Sequence, residues 1–395
     1  MIRLLATLCA TVLRMVAAIG MLAILTRAVP LDLFTALSLG LLIGQILAIL
    51  IDGGVNNEML RFAGTESALQ HRARLDESTA VRLLMMPLPL GGVFGIAVWL
   101  EGLQAAQIIT LAASATLLGS LGESYFMSLR ATGRWESELG RTVLLTILML
   151  TLPWLARLWP AAAGLCVLLP RLLSLFNLID APRRSLLQAL RRYASRAEVV
   201  NYYHRIRHYS VDSVISNLGM QLDALLITTL LGKQVYAVYQ PTSRLYVSSL
   251  SLGSVIAGLV VPRAARLMPP SRARAYLMRC FSLAGLLVAA ALGPLLVWGV
   301  GPLFGAHFQL APPVALLLCA LALVRFIAAG SGSYLTLQGY QQHRARVNVL
   351  TTFAVLPAAF WLADSLESIL LALLVAQVFM VLSYTVRSYR SEPHA

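Results

Sequence analysis

The stretch SVDSVISNLGMQLDALLITTLLG, from Ser210 to Gly232, places Asp212, Asn217, Gln221 and Asp223 inside an apolar run long enough to cross a bilayer as a helix. A charged side chain near the bilayer centre costs about 2.5–3.5 kcal/mol on the mildest insertion scale, so such residues face a protein-lined or hydrated interior. At about 100° per residue, Asp212, Ser216, Gly219 and Asp223 share one stripe, and Asn217 and Gln221 form an adjacent polar pair. Arg14, Arg171, Arg244 and Arg325 also fall within apolar runs, Arg14 on the same face as Arg3 and Thr7. Glu123 lies near the end of another run, beside Gly119 and Gly122.

Arginine stays protonated under essentially all conditions and grips phosphate through its forked donors. Four embedded arginines against few embedded carboxylates describe a cavity of positive balance, suited to an anionic, phosphate-bearing cargo. For each charge the alternative is an interhelical ion pair or a side chain that snorkels to the interface, as Arg244 is placed to do.

The elements that must hold these residues follow from composition. The chain has 395 residues, 58% hydrophobic and 12% charged, with mean hydropathy +0.77, far outside the range of ordinary soluble domains. The apolar runs have helix-spanning length and lack barrel-strand alternation, so the expected class is an all-α integral membrane protein. About twelve transmembrane segments are expected near 4–26, 33–52, 82–100, 106–128, 142–159, 160–179, 211–231, 242–262, 280–299, 312–334, 347–362 and 368–386. The N-terminal run is read as the first span, because Arg14 interrupts it and no small-x-small cleavage site follows.

The formal net charge of +14 is a topology signal. With the N-terminus cytoplasmic, the outer loops hold only Arg27, Arg157 and Lys233, and the other arginines outside the spans fall on the inner side. Both termini are therefore expected in the cytoplasm, and nucleic-acid binding is not expected. The basic run from Arg183 to Arg207 reads as an amphipathic connector touching anionic lipid.

Sliding the chain along itself by 206 residues aligns Leu129 with Leu335, Gly133 with Gly339, Val143 with Val349, Leu144 with Leu350 and Thr146 with Thr352. An even number of spans per half makes the repeats parallel, with an expected cleft between two six-helix bundles that opens to each side in turn. The organisation this predicts is a bundle over 1–180, a connector over 181–209, a second bundle over 210–388 and a tail over 389–395.

Cys9, Cys166, Cys280 and Cys319 lie in apolar runs without disulfide or zinc spacing. There is no Walker-A loop, no HExxH, no Gly-x-Ser-x-Gly and no Cys/His cluster, so no metal or cofactor is expected and enzymatic chemistry is disfavoured.

The segment NLGMQLDALLITTLLGKQVYAVYQPTSRL resembles the seventh span and its exit in the oligosaccharidyl-lipid flippases of the multidrug/oligosaccharidyl-lipid/polysaccharide (MOP) exporter superfamily, the Wzx-like polysaccharide biosynthesis proteins. ILAILIDGGVNNEMLRFAG and LRATGRWESELGR are weaker matches. The chain departs from the family pattern at Asp52-Gly53-Gly54, where a less polar Phe-Gly is usual.

The resemblance implies a twelve-helix, MATE-like fold in the bacterial inner membrane. It would move an undecaprenyl-pyrophosphate-linked oligosaccharide to the periplasmic leaflet, alongside membrane lipids and polysaccharide polymerase and export components. Carried onto this sequence, the pyrophosphate and sugars would be held by Arg14 and Arg325, with Arg171, Arg244, Asn217 and Gln221. Asp223, Asp212 and Glu123 would serve ion coupling or charge balance. A cation-coupled exporter of small amphipathic molecules on the same fold and a membrane enzyme of polysaccharide assembly are the alternatives.

Overall fold

The structure, a computed structural model, describes residues 2–55, 68–131, 133–178, 183–362 and 364–390. Among these residues every regular element is helical. The chain divides into two compact units, Met1–Leu218 and Gly219–Ala395.

In the first unit, α1 (Ile2–Ala28) stops before Pro30, and α2 (Leu31–Asp52) ends where Gly53 takes a left-handed φ of 51° and returns its N–H to the Ile49 carbonyl at 3.2 Å. Then come α3 (Ala68–Met85) and α4 (Pro87–Glu101), which Pro87 opens, α5 (Leu103–Ala131) and α6 (Trp135–Thr151). Helix α7 (Ala163–Leu178) carries Pro170 in its interior, and α8 (Arg183–Arg192) and α9 (Arg196–Met220) complete the series.

Helices α2 and α5 pack because Gly40 and Gly44 repeat at helical spacing. A Cβ on Gly44 would lie 2.7 Å from the Ala113 Cα, and one on Gly40 would collide with the Ile109 carbonyl. Without a hydrophobic driving force in lipid, such small-residue seams let backbones approach and are a main source of helix association. Helix α5 also packs on α7, and α1 on α6.

The second unit holds α10 (Lys233–Leu267), α11 (Pro270–Pro294), α12 (Pro312–Leu337), α13 (Gln341–Leu362) and α14 (Leu366–Arg390). Helix α12 packs against α11 and α14, with Phe281, Phe326 and Tyr334 in the buried cluster.

The 206-residue repeat appears as a repeated turn. Gly133 and Gly339 both take positive φ, 74° and 79°. Each is followed by a backbone bond spanning the turn, Arg134 N to Leu129 O at 2.8 Å and Tyr340 N to Leu335 O at 2.9 Å. The α5–α6 and α12–α13 junctions are thus one helix-end motif used twice, and only a residue tolerant of left-handed backbone fits its glycine position.

Each of the twelve expected spans falls on helix over most of its described residues, with a break at Gln221 in the seventh, and eight stretches among the described residues are long and apolar enough to cross a membrane. Pro160–Phe176 and Leu222–Leu231 are shorter apolar helices, and α10 and α13 cover the remaining two.

The basic segment expected as a connector packs with the first unit. Helix α8 lies on α3, and Tyr193, Tyr202 and Ile206 are buried. Glu77 of α3 accepts a hydrogen bond from Arg205 at 3.0 Å and stands 3.7 Å from Arg192, so partly exposed ion pairs flank these buried contacts.

Candidate functional site

Helix α1 crosses α6 so that Arg14 meets a carboxylate from the first turn of α6. Its Nη1 lies 3.3 Å from Glu138 Oε1, its Nε 3.8 Å from Glu123 Oε1, and its guanidinium 4.8 Å from the Phe126 ring centroid. Glu138 has no exposure, whereas the Glu123 side chain is about half exposed, at 48%. Arg14, expected as an anion grip, is therefore engaged by two acids, and the trio carries a net negative charge when all three are ionised. Glu138 did not stand out in the sequence because it sits at a helix start, where acids are common. Its signal is periodic: Glu138 shares one helix face with Thr142, Leu145, Thr146 and Met149, at i+4, i+7, i+8 and i+11, and all are buried.

A second buried charge lies where α2, α3 and α5 meet. Arg82 is fully buried, donating from Nη1 to Asp52 Oδ1 at 2.8 Å and from Nη2 to Ser124 Oγ at 2.8 Å. Asp52, where the chain departs from the family pattern, is thus the ion-pair partner of Arg82. Nearby, the Tyr203 hydroxyl of α9 donates to the Ile51 carbonyl at 2.7 Å. Burial is the main force pushing that hydroxyl up to about 12, with the Arg82 charge opposing and the Asp52 charge reinforcing.

The stretch from Ser210 to Gly232 is broken just after the second unit begins at Gly219. Helix α9 ends at Met220, Gln221 leaves helical geometry with φ −102° and ψ 5°, and a short helix Leu222–Leu226 runs into a π-turn at Ile227–Leu231. Breaks of this kind inside a membrane are tolerated where protein or water satisfies the backbone, and they recur at transport sites.

Arg325 of α12 reaches the break. Its Nη2 donates to the Gly219 carbonyl at 3.3 Å, and its guanidinium stands 5.6 Å from the Tyr246 ring centroid. Its Nη1 is buried and finds no hydrogen-bond acceptor among the described residues. Asp223, just beyond the break, is buried and accepts the Tyr239 hydroxyl at 2.7 Å. Tyr239 and Tyr246, both on α10, are functional candidates that composition alone does not single out.

Gln221 is half-buried at the break and Asn217 is exposed one turn earlier, so the expected pair is split between two environments. Arg244 is half-buried on α10. Arg171 leans on α5 at Gly119, where an added Cβ would lie 3.5 Å from its guanidinium carbon. The Asp212 side chain lies outside the described residues, as does most of the loop after α2. No cluster of metal-ligating side chains occurs among the described residues.

What this arrangement offers chemically is a cationic donor with spare capacity at a broken helix, a buried carboxylate held by a tyrosine, and, in the other unit, an arginine balanced by two acids. It presents charges for binding and exchange.

Neither a protein-family model nor a curated protein matches the sequence. Solved structures do. An inward-facing multidrug-resistance MATE transporter of the MOP superfamily aligns over 95% of both chains with TM-score 0.69 and 14% identity. The lipid II flippase MurJ, in an inward closed conformation, aligns over 99% of this chain and 88% of its own with TM-score 0.70 and 11% identity. A MOP-superfamily transporter from Pyrococcus furiosus, described as having a binding pocket of reverse polarity that suggests a different function, aligns over 98% and 95% with TM-score 0.59 and 12% identity. The chain is thus a multi-pass, all-α membrane protein with the fold shared by MATE transporters and the MurJ flippase.

Proposed function

We propose that the chain moves an undecaprenyl-pyrophosphate-linked oligosaccharide repeat unit across the bacterial inner membrane, exposing its site to each side in turn, for O-antigen, capsule or exopolysaccharide assembly. The observation that carries this reading is Arg325, a permanently charged side chain in an apolar helix with one buried nitrogen lacking an acceptor among the described residues. A phosphate oxygen would satisfy it. The fold common to this chain and a lipid II flippase supports a lipid-linked cargo.

In this reading Arg325 holds the pyrophosphate, with Arg171, Arg244, Asn217 and Gln221 contacting pyrophosphate or sugars. Arg14 takes part only by exchanging its longer contact, Glu123, for phosphate. No bond is made or broken in the cargo, and the arginine excess of the loops supports cytoplasmic termini. Polysaccharide polymerase and export components are the partners that such a cargo implies.

The test is a single cysteine at position 325 in a Cys-free background, labelled by a membrane-impermeant thiol reagent in intact cells and inverted vesicles. Labelling from at least one side, blocked by an undecaprenyl-pyrophosphate analogue, is the expected result. An unreactive cysteine, or labelling indifferent to the analogue, would overturn the role given to Arg325.

A second reading, cation-coupled export of a small amphipathic molecule, draws on the buried Asp223–Tyr239 pair and on the acids around Arg14. It predicts that Asp223→Asn abolishes transport driven by a proton or sodium gradient. The flippase reading, with Asp223 as charge balance, predicts gradient-independent flipping that survives this change.

A further inference from the structure

A cavity of about 520 Å³ opens in the second unit just past the C-terminal end of α12, roughly 18 Å along that helix from Arg325, lined by Gly339, Tyr340, Gln342, His343, Arg346 and Arg387. It sits where α13 begins and α14 ends. Its volume falls within the range of roughly 300–1,000 Å³ typical of small-molecule sites.

Two of its lining side chains have unused polar atoms. Arg387 places its guanidinium 4.6 Å from the Tyr340 ring centroid, yet its Nε is buried and has no acceptor among the described residues. The His343 Nε2 is likewise buried without a hydrogen-bond partner among them. Arg346 stands exposed at the rim, and the lining includes no acidic residue among those described. The first-turn N–H groups of α13 add donors that lack intrahelical acceptors, at the positive end of a long helix.

At the 206-residue offset, Tyr340, Gln342, His343 and Arg346 correspond to Arg134, Glu136, Ser137 and Gly140, while the glycine turn itself is kept at Gly133 and Gly339. The two copies share the turn and differ in the side chains around it: an arginine and an acid in the first, a tyrosine, a histidine and an arginine in the second.

We infer that this cavity is a second anion site, independent of the transport site, which binds a phosphate group at the membrane surface, supplied by an anionic lipid headgroup or by free phosphate. Basic pockets at the ends of transmembrane helices take lipid phosphates through such charge-assisted bonds.

The experiment is native mass spectrometry of the full-length protein in detergent with phosphatidylglycerol or phosphatidylcholine, with and without inorganic phosphate. Phosphatidylglycerol should be retained over phosphatidylcholine, and R346Q/R387Q should lower that retention roughly tenfold, as expected for loss of two charge-assisted contacts. R346K/R387K should keep most of it. Competition by inorganic phosphate would identify free phosphate as the ligand, and its failure to compete would identify the lipid headgroup. Because Arg387 also stacks on Tyr340, R346Q alone serves as a variant whose folding is not in question, and it should show a partial loss. Equal phosphatidylglycerol retention by wild type, R346Q and R346Q/R387Q, with no effect of phosphate, would overturn the site.

Discussion

The Arg14 guanidinium lies 3.3 Å from the carboxylate of Glu138, a residue 124 positions further along the chain with no exposure to solvent. This pair joins α1 to α6, and it balances a charge that the transport reading would otherwise leave for the cargo. Stripping a buried pair of one partner costs about 3–5 kcal/mol, whereas replacing both partners by apolar residues is often neutral. Glu138→Gln should therefore destabilise by about 3 kcal/mol, the low end of that range, because Glu123 remains near Nε. Arg14→Met combined with Glu138→Met should recover most of the loss. Unfolding of wild type, Arg14→Met, Glu138→Met and the double variant in one detergent, treated as a double-mutant cycle, gives the coupling.

Arg82 makes a sharper case, because its two terminal nitrogens go to different helices, Asp52 on α2 and Ser124 on α5. A lysine has one ammonium on a flexible stem and cannot reproduce the fork. Arg82→Lys should then lose about 2–3 kcal/mol and Arg82→Ala more, the latter leaving Asp52 without this counter-charge. Thermal unfolding with the intact chain measures both.

Gly44→Leu should separate α2 from α5. The Ala113 Cα stands 2.7 Å from the position of the new Cβ and is backbone, so no rotamer change relieves the clash. Overpacking of this sort costs about 1–3 kcal/mol or more. Gly91→Leu on α4, where an added Cβ meets nothing within 4 Å, is the matched control and should be tolerated.

Tyr203 ties α9 to the end of α2 through the Ile51 carbonyl. A tyrosine raised from 10.0 to about 12 by burial contributes stability that is fully present below pH 10 and is lost as pH rises through about 12. Hydrogen exchange of α9 amides should thus be flat across the physiological range once intrinsic rates are removed. Tyr203→Phe should raise exchange at the start of α9 by a factor set by about 1 kcal/mol, the worth of an ordinary hydrogen bond.

Spans, helical class and repeat were legible in the sequence because they depend on summed hydropathy and on a fixed offset. The positive-φ glycines at 133 and 339 turned an alignment of thin identity into matching backbone geometry. The partners of the charges were not legible. Arg82 reads as a loop charge until α2 and α5 are brought against it, and Glu138 reads as a helix-start acid until α1 passes by. The interruption at Gln221 was equally hidden, because neither Pro nor Gly stands at that position and Asp223 follows within two residues. A one-dimensional pattern reports which residues are costly in a membrane, and only the packing of helices reports what offsets that cost.

The most direct test of the central claim is flipping of a fluorescent undecaprenyl-pyrophosphate-linked oligosaccharide by the purified chain in proteoliposomes. The fraction of label on the inner leaflet would be read by quenching with a membrane-impermeant reductant. The account predicts protein-dependent flipping that Arg325→Gln lowers at least about tenfold, as expected for loss of a charge-assisted phosphate contact, while an uncharged polyprenol is left behind. Proteoliposomes that flip the labelled lipid no faster than protein-free vesicles, or an Arg325→Gln variant as active as the wild type, would contradict it.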